Sequence, residues 1–375
     1  MQRICDVIRD TSVPSWINSV PYNFGDAAAG VLKADEWRIL ATIYLPIALI
    51  SIWGSNSSFI SEDDAPTFRE ILDHTMLLVS AVSLACMRNM TPSRSQAYLE
   101  CMSSYLHDLI RIHPHATYKP KHHMSMHLHF FFSLFGPVRS WWCFPFERLI
   151  GQIQRLLSNH KIGQMESTLL HSYLRAANLR RWLSDPNATP VFQEISDLFN
   201  KIYRARGSGD DVAAESPIDE ENTKQSWAIP KDLSTLLPFA GRSIFLQARI
   251  KLSGTMYSVA KTHIRNSMIL FYPNGNLVSK YVAESITYIF SCDRNRYLFA
   301  VQRQLPLDDD VVDPFCIYPY FPARLYSSQL SSSLECVETD WVFGHCARWK
   351  LNESHTVVLS LSRVSISFTC CNFTF

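Results

Sequence analysis

Apolar residues recur at helical spacing through the chain before residue 205. In residues 33–53, Trp37, Leu40 and Tyr44 lie on one stripe of the i, i+3, i+4, i+7 pattern, and Pro46 should kink that helix. The same spacing predicts further helices at residues 66–87, 93–112, 122–135, 145–158, 163–183 and 190–204. The first part of the chain is therefore expected to be helical.

After residue 233 the period of the apolar residues changes from helical to alternating. Alternation over four to eight residues is typical of half-buried strands. It predicts strands at residues 243–252, 267–272, 285–292, 297–302, 341–349 and 356–362. Asn274-Gly275 is the strongest hairpin signal of the chain. The pattern predicts an α+β protein, in which a helical N-terminal part precedes a small all-β barrel or sandwich.

A segment of different composition separates the two patterns. Residues 207–223 carry six acidic residues and no basic ones, which is typical of a linker. We expect a helical part at 1–205, an acidic linker at 206–232, a β-rich domain at 233–363 and an irregular tail at 364–375. The tail is apolar and uncharged, so it is either a last strand or translated non-coding sequence.

Composition excludes several classes of protein. Hydrophobic residues make up 47% of the 375 residues and charged residues 18%, so a sizeable core is expected and global disorder is not. Ten cysteines without CxxC spacing favour a reduced, intracellular chain. The longest apolar run, residues 39–53, is shorter than the roughly 20 residues that span a bilayer. Neither secretion nor membrane insertion is expected.

Charge is distributed unevenly, although the net charge is only +1. Residues 111–182 contain ten Lys or Arg and two acidic residues, and eight of the 13 histidines lie there too. A basic segment rich in aromatic residues is typical of a surface that contacts phosphate backbones. The alternative is an uneven surface charge without a use.

One carboxylate of this basic segment is a candidate metal ligand. Glu147 begins a predicted helix, and its face of that helix also carries Ile150, Gly151, Gln154 and Arg155. A carboxylate on a basic face, with a glycine that permits close approach, could hold a divalent metal beside a phosphate. The alternative is a first-turn acid that interacts with the helix dipole or pairs with Arg148.

The histidines offer a second candidate metal site. Residues 122–129 contain His122, His123, His127 and His129. His123 and His127 have the i, i+4 spacing that can bind zinc, but Cys101 and Cys143 complete no recognised zinc motif. Packing, helix capping or phosphate contact is the default role of these histidines. The sequence contains no GxSxG, P-loop, GxGxxG or HExxH motif.

Several short segments of the sequence resemble the transposases of CACTA (En/Spm-like) DNA transposons, in the form found in mushroom-forming fungi. The most specific is the GP–WW–FPFER–G block within residues 135–151. The resemblance spans about residues 11–362 and covers only the C-terminal portion of such an enzyme. The segments that carry the resemblance lie at residues 14–16, 23–38, 44–54, 119–128, 135–170, 176–183, 257–271, 284–290, 313–330 and 343–349.

The resemblance implies an RNase H-like core with an Asp-Asp-Glu site that binds Mg²⁺ or Mn²⁺. Glu147 matches the third carboxylate, and the first two Asp belong to a sheet upstream of residue 1. The helical part would then be the insertion region and the last helix of that core. Glu166 also matches a family position, and a structural role is its alternative. The implied DNA-binding residues are Arg139, Arg148, Gln154, Arg155, Lys161 and Arg181.

These implications define an expected function. The chain would be a fragment of a transposon-encoded transposase, catalytically incomplete, without a bound metal and with residual non-specific DNA binding. Its partners would be DNA and an intact transposase or its upstream half, in the nucleus and without a membrane. A non-catalytic DNA- or protein-binding module and a passive product of a degraded gene are the alternatives. An exposed Glu147 is expected beside uncovered Phe144, Phe146, Leu149 and Ile150.

Overall fold

The computed structural model describes residues 1–54, 61, 63–154, 161, 163–183, 189–206, 230–236, 244–293 and 296–361. The predicted linker at 207–223 and the tail at 364–375 lie outside these residues. The predicted α+β class is confirmed, because helices form the N-terminal part and a curled antiparallel sheet forms a half-barrel after it.

The described helices between residues 34 and 206 lie close to the predicted bounds, whereas those at Gln2–Asp10 and Lys231–Ser234 were not predicted. Pro66, Pro92 and Pro120 lie in the first turns of three of them, where a missing N–H costs no helical bond. The helices are α1 (Gln2–Asp10), α2 (Ala34–Ile39), α3 (Leu45–Trp53), α4 (Ala65–Ala85), α5 (Pro92–Ile112), α6 (Pro120–Phe135), α7 (Phe144–Gln154), α8 (Met165–Leu183), α9 (Pro190–Arg206) and α10 (Lys231–Ser234).

The predicted kink before Pro46 takes the form of a π-helical turn. This turn, Leu40–Tyr44, joins α2 to α3, and the N–H of Leu45 donates to the carbonyl of Leu40. Pro46 has no N–H to donate to the residue four positions back, so the helix widens there. Within the described residues, Ala34–Trp53 alone is long and apolar enough to cross a membrane, and 50% of it is buried in this fold.

The start of α2 is closed by Glu36 and not by Asp35. The side chain of Glu36 accepts the N–H of Lys33 at 2.7 Å and so closes the helix start. Asp35 instead accepts a hydrogen bond from Arg38 at 2.7 Å, one turn further along. The carboxylate one position later reaches the free N–H, which is the geometry of a capping box.

The strands form one large sheet and one short hairpin. The sheet has the order β7-β10-β9-β4-β5-β6-β8, with β1 paired to β5, and β2 pairs with β3 in a separate hairpin. The strands are β1 (Phe245–Gln247), β2 (Arg249–Leu252), β3 (Thr255–Ser258), β4 (Met268–Phe271), β5 (Val282–Asp293), β6 (Arg296–Gln304), β7 (Ala323–Ser327), β8 (Leu330–Glu338), β9 (Val342–Lys350) and β10 (His355–Ser360).

The predicted Asn-Gly turn forms, but it does not close a tight hairpin. Asn274 and Gly275 both have positive φ, 54° and 68°, as the sequence signal requires. Pairing of β4 with β5 nevertheless begins only at Phe271 and Val282. The tight hairpin lies instead at Ser253-Gly254, between β2 and β3, where both φ angles are also positive.

Packing divides the chain into two compact units. The first comprises Met1–Trp141 with Glu221–Phe375, and the second comprises Trp142–Glu220. In the first unit α1, α3 and α4 share a core with β9 and β10, to which Ile47, Leu72 and Trp349 contribute. The predicted boundary at residue 205 separates helices from strands. The compact units differ from this division, because the helices of the first unit share a core with its strands.

Candidate functional site

Glu147 lies in the first turn of α7, where its N–H donates to the carbonyl of Cys143 at 2.9 Å. Its side chain is exposed, and it forms no ion pair with any residue that the structure describes. An exposed carboxylate can reach a metal and a phosphate. A first-turn carboxylate also interacts favourably with the helix dipole. The geometry of this one residue therefore fits both hypotheses for Glu147.

Apolar side chains beside Glu147 are uncovered. Phe146 is 66% exposed, Ile150 is 53% exposed and Leu149 is 37% exposed, as expected for this helix. Phe144 differs, because its ring packs edge-on against Trp142 with centroids 4.9 Å apart and is only partly exposed. Large exposed apolar surface is unusual on a monomer and often marks a contact surface.

Gly151 lies one helical turn after Glu147 and has free space around it. A Cβ at Gly151 would meet no described atom within 4 Å apart from the backbone of its own helix. The described neighbours in this chain therefore do not require glycine at this position. If another backbone packs closely here, it belongs to a molecule outside the described residues.

The predicted DNA-binding residues are spread over both units. Arg148 and Gln154 lie in α7, and Arg181 lies exposed in α8. Lys161 is exposed before α8, and Arg155 lies outside the described residues. Glu166 is exposed in the first turn of α8, and so it occupies the same kind of position as Glu147.

Arg139 has a structural contact in the first unit. Its Nε donates to the carbonyl of Cys86 at 2.7 Å. Cys86 directly follows α4, so this bond satisfies a carbonyl at the end of that helix. Arg111, at the start of the basic segment, donates to Asp108 at 3.2 Å and to Glu70 at 2.5 Å. Part of the positive charge of residues 111–182 is thus paired within the fold.

The histidines of α6 have different surroundings. The N–H of Lys119 donates to Nδ1 of His122 at 3.2 Å, which gives His122 a capping role. His123 and His127 are exposed, and their Nε2 atoms lie 3.0 Å apart. In the part of the chain that the structure describes, no three His, Cys, Asp or Glu residues come together as a metal site. The carboxylates needed beside Glu147 are therefore not supplied by these residues.

A polar cluster around the buried side chain of His345 joins segments that lie far apart in the sequence. The indole N–H of Trp16 donates to Nδ1 of His345 at 3.4 Å. Because an indole only donates, Nε2 of His345 carries the proton that bonds the carbonyl of Asn266 at 3.2 Å. The ring of Tyr257 stacks on His345 with centroids 4.6 Å apart.

The backbone of the N-terminal segment is held at the same place. Ser15 donates its N–H to Oδ1 of Asn266 at 2.9 Å, and Nδ2 of Asn266 donates to Oγ of Ser15 at 3.0 Å. Ser12 forms an antiparallel bridge with Arg348 of β9. Residues 14–16, 257–271 and 343–349 carry separate parts of the resemblance in the sequence, which does not indicate that they meet. In the structure they form one bonded cluster whose polar groups satisfy each other.

Glu284 is a second buried polar group that sequence reasoning missed. It is 1% exposed in β5, and neither carboxylate oxygen makes a hydrogen bond among the described residues. Arg303 lies 3.4 Å away but holds Glu335 with three hydrogen bonds, the shortest of 2.6 Å. Burial, with the nearby Glu335 charge, raises the pKa of Glu284 to about 9, so this carboxyl is neutral at pH 7.

No protein-family model, curated protein or solved structure matches this chain. The likeness to CACTA transposases therefore rests only on the short sequence segments that carry the resemblance.

Proposed function

We propose that the chain is the C-terminal portion of a CACTA-type transposase, and that Glu147 is one of the three carboxylates of its metal site. The observation that carries the proposal is the exposed Glu147 at the start of α7, beside uncovered Phe146 and Ile150. Two further carboxylates and a surface that covers these apolar residues would come from the upstream portion.

On this proposal the described residues cannot cut DNA by themselves. Metal-assisted phosphoryl transfer needs several carboxylates that converge on one site, because a single carboxylate would not hold the metal there by itself. The residues of the intact site would hold Mg²⁺ or Mn²⁺, which prefer oxygen ligands. Glu147 would contribute one carboxylate oxygen to that set.

Reconstitution with the upstream portion of an intact relative tests the catalytic role. Cleavage of transposon-end DNA in Mg²⁺ or Mn²⁺ should need both portions and should fall at least 100-fold in Glu147→Gln. Glu194→Gln is the matched control, because Glu194 is also an exposed acid on a helix of the same unit. If Glu147→Gln leaves the cleavage rate unchanged, Glu147 is not a metal ligand.

A second function, non-catalytic DNA binding, is favoured by free cations on α8. Arg175 and Arg181 are exposed, and neither forms an ion pair within the described part of the chain. Free guanidinium groups are available to phosphates, whereas paired ones such as that of Arg111 are partly neutralised. The second unit therefore carries the cations that suit backbone contacts.

Gel-shift titration of the full chain tests this binding. Affinity should fall steeply with salt, and replacing Arg148, Arg155 and Arg181 by Ala should weaken binding to any DNA sequence about equally. Arg111→Ala, which removes a paired cation, is the control and should change affinity much less. Absence of binding at roughly 50 mM salt would support the passive gene product over both functional proposals.

A further inference from the structure

The histidine pair of α6 has the spacing of a metal chelate. His123 and His127 are one helical turn apart, and their Nε2 atoms lie 3.0 Å from each other. Two imidazole nitrogens bound at about 2.0–2.1 Å to one metal are about 2.9 Å apart at a right angle and about 3.3 Å apart at a tetrahedral angle. The observed separation falls in this range.

We propose that His123 and His127 form a binding site for one borderline divalent cation of the Cu²⁺, Ni²⁺ or Zn²⁺ type. Imidazole suits these metals, and right-angled coordination is preferred by Cu²⁺ and Ni²⁺. The two imidazoles occupy neighbouring positions, and water completes the coordination. The site is independent of Glu147 and of the carboxylate chemistry proposed for the second unit.

The rings meet because the helix beneath them is fixed. The hydroxyl of Tyr98 on α5 donates to the carbonyl of Ser125 at 2.8 Å, and Tyr98 also contacts Phe132 edge-on. Ser95 on α5 donates to the carbonyl of His129 at 3.2 Å. These bonds hold the buried side of α6 while the two imidazoles stay exposed on the other side. A metal would therefore meet two ligands on a rigid support.

Metal binding replaces the contact that the rings already make. At a separation of 3.0 Å one Nε2 carries a proton and the other accepts it. To bind a cation, both Nε2 atoms need free lone pairs, so the donating ring moves its proton to Nδ1 through water. The neighbouring His122 does not compete, because its Nδ1 accepts the N–H of Lys119.

Calorimetric titration of the full chain with Ni²⁺, Cu²⁺ or Zn²⁺ as chloride salts tests the site. The unaltered chain should bind one equivalent more tightly than its remaining histidines do. His123→Asn and His127→Asn should each weaken that equivalent at least tenfold. The double variant should be no weaker than either single one by more than about twofold, because losing one ligand already destroys the chelate.

His129→Asn is the matched control, since His129 lies on the same helix but two residues beyond the pair. It should leave the tight equivalent unchanged, and all variants should keep the circular dichroism of the original chain. With Cu²⁺, electron paramagnetic resonance should show two equatorial nitrogens, and one in each single variant. Unchanged affinity in His127→Asn, or equal losses in His129→Asn, would overturn the proposal.

Discussion

Helices α4 and α7 both carry apolar faces, but only that of α4 is covered. Eight residues of α4 are buried, among them Leu72 and Met76. Along α7, α8 and α9, none of the residues whose side chains the structure describes is buried, and Phe146, Leu170 and Trp182 are each more than half exposed. Apolar periodicity therefore indicates a face suited to burial, but not which molecule buries it.

The largest expected effect is the loss of a covered side chain. Met76→Ala should lower the free energy of unfolding by about 2–5 kcal/mol, because Met76 is 1% exposed and its removal leaves a cavity. Leu170→Ala in α8 is the control and should change it by less than about 0.5 kcal/mol, since Leu170 is 58% exposed. Urea unfolding followed by circular dichroism measures both. Equal losses would erase the contrast between the two units.

Glu284 allows a test of a buried polar group in the first unit. Its pKa is about 9 in the folded chain against the ordinary 4.5, so the folded state binds more protons between these pH values. Stability should therefore be greatest below about pH 4.5 for this group and should fall as pH rises toward 9. Glu284→Gln mimics the neutral carboxyl and should raise stability at pH 7–8 by on the order of 1–3 kcal/mol.

The pH dependence of unfolding gives the readout for Glu284. In Glu284→Gln the decline between pH 5 and 9 should flatten. Glu353→Gln, at a side chain that is 93% exposed, should leave the decline as it was. An unchanged decline in Glu284→Gln would show that the buried carboxyl is already ionised and paired with Arg303 across this pH range.

Trp16 allows a test of the contact between the N-terminal segment and β9 in the first unit. Trp16→Phe keeps an aromatic ring but removes the indole N–H, so Nδ1 of His345 loses its donor. The free energy of unfolding should fall by about 1 kcal/mol, in line with one buried hydrogen bond. Trp37→Phe is a suitable control, because Trp37 is 49% exposed. A Trp16→Phe value equal to that of Trp37→Phe would contradict the bonded cluster.

Gly151 gives the smallest effect on stability. Gly151→Ala should raise the free energy of unfolding by up to about 1 kcal/mol, since Ala favours a helix and finds open space here. The same change should reduce cleavage by the reconstituted transposase if an upstream backbone packs on this face. Thermal unfolding and the cleavage assay together decide, and a stabilised variant with full cleavage would show that no backbone approaches Gly151.

Local sequence signals predicted the helices well because proline and capping residues act over a few positions. Thr91-Pro92 begins α5, where the Thr91 hydroxyl accepts the N–H of Arg94 at 3.3 Å. The π-helical turn before Pro46 was expected only as a kink. Strands were harder, and β3, β7 and β8 were missed. In β8, Leu330–Glu338, a run of serines hides the alternation, and pairing with β6 decides its conformation.

The candidate site divides in the same way. The exposure of Glu147 and of its apolar neighbours could be predicted, because both follow from helical positions close in sequence. The Trp16–His345 contact and the burial of Glu284 could not, because they depend on strand register and on residues far apart in the chain. The near contact of His123 and His127 follows from their i, i+4 spacing, but its distance of 3.0 Å required the structure.

The bridge between the N-terminal segment and β9 has a consequence for synthesis. Trp16 and His345 are separated by 329 residues, and translation proceeds at roughly 5–20 residues per second. The N-terminal segment must then wait about 15 to 65 s on the ribosome before its partner strand exists. During this interval Ile4, Val7 and Val13, which are buried in the finished fold, have no β9 or β10 to pack against. The emerging chain therefore exposes apolar surface that is prone to aggregation until β9 and β10 have been made.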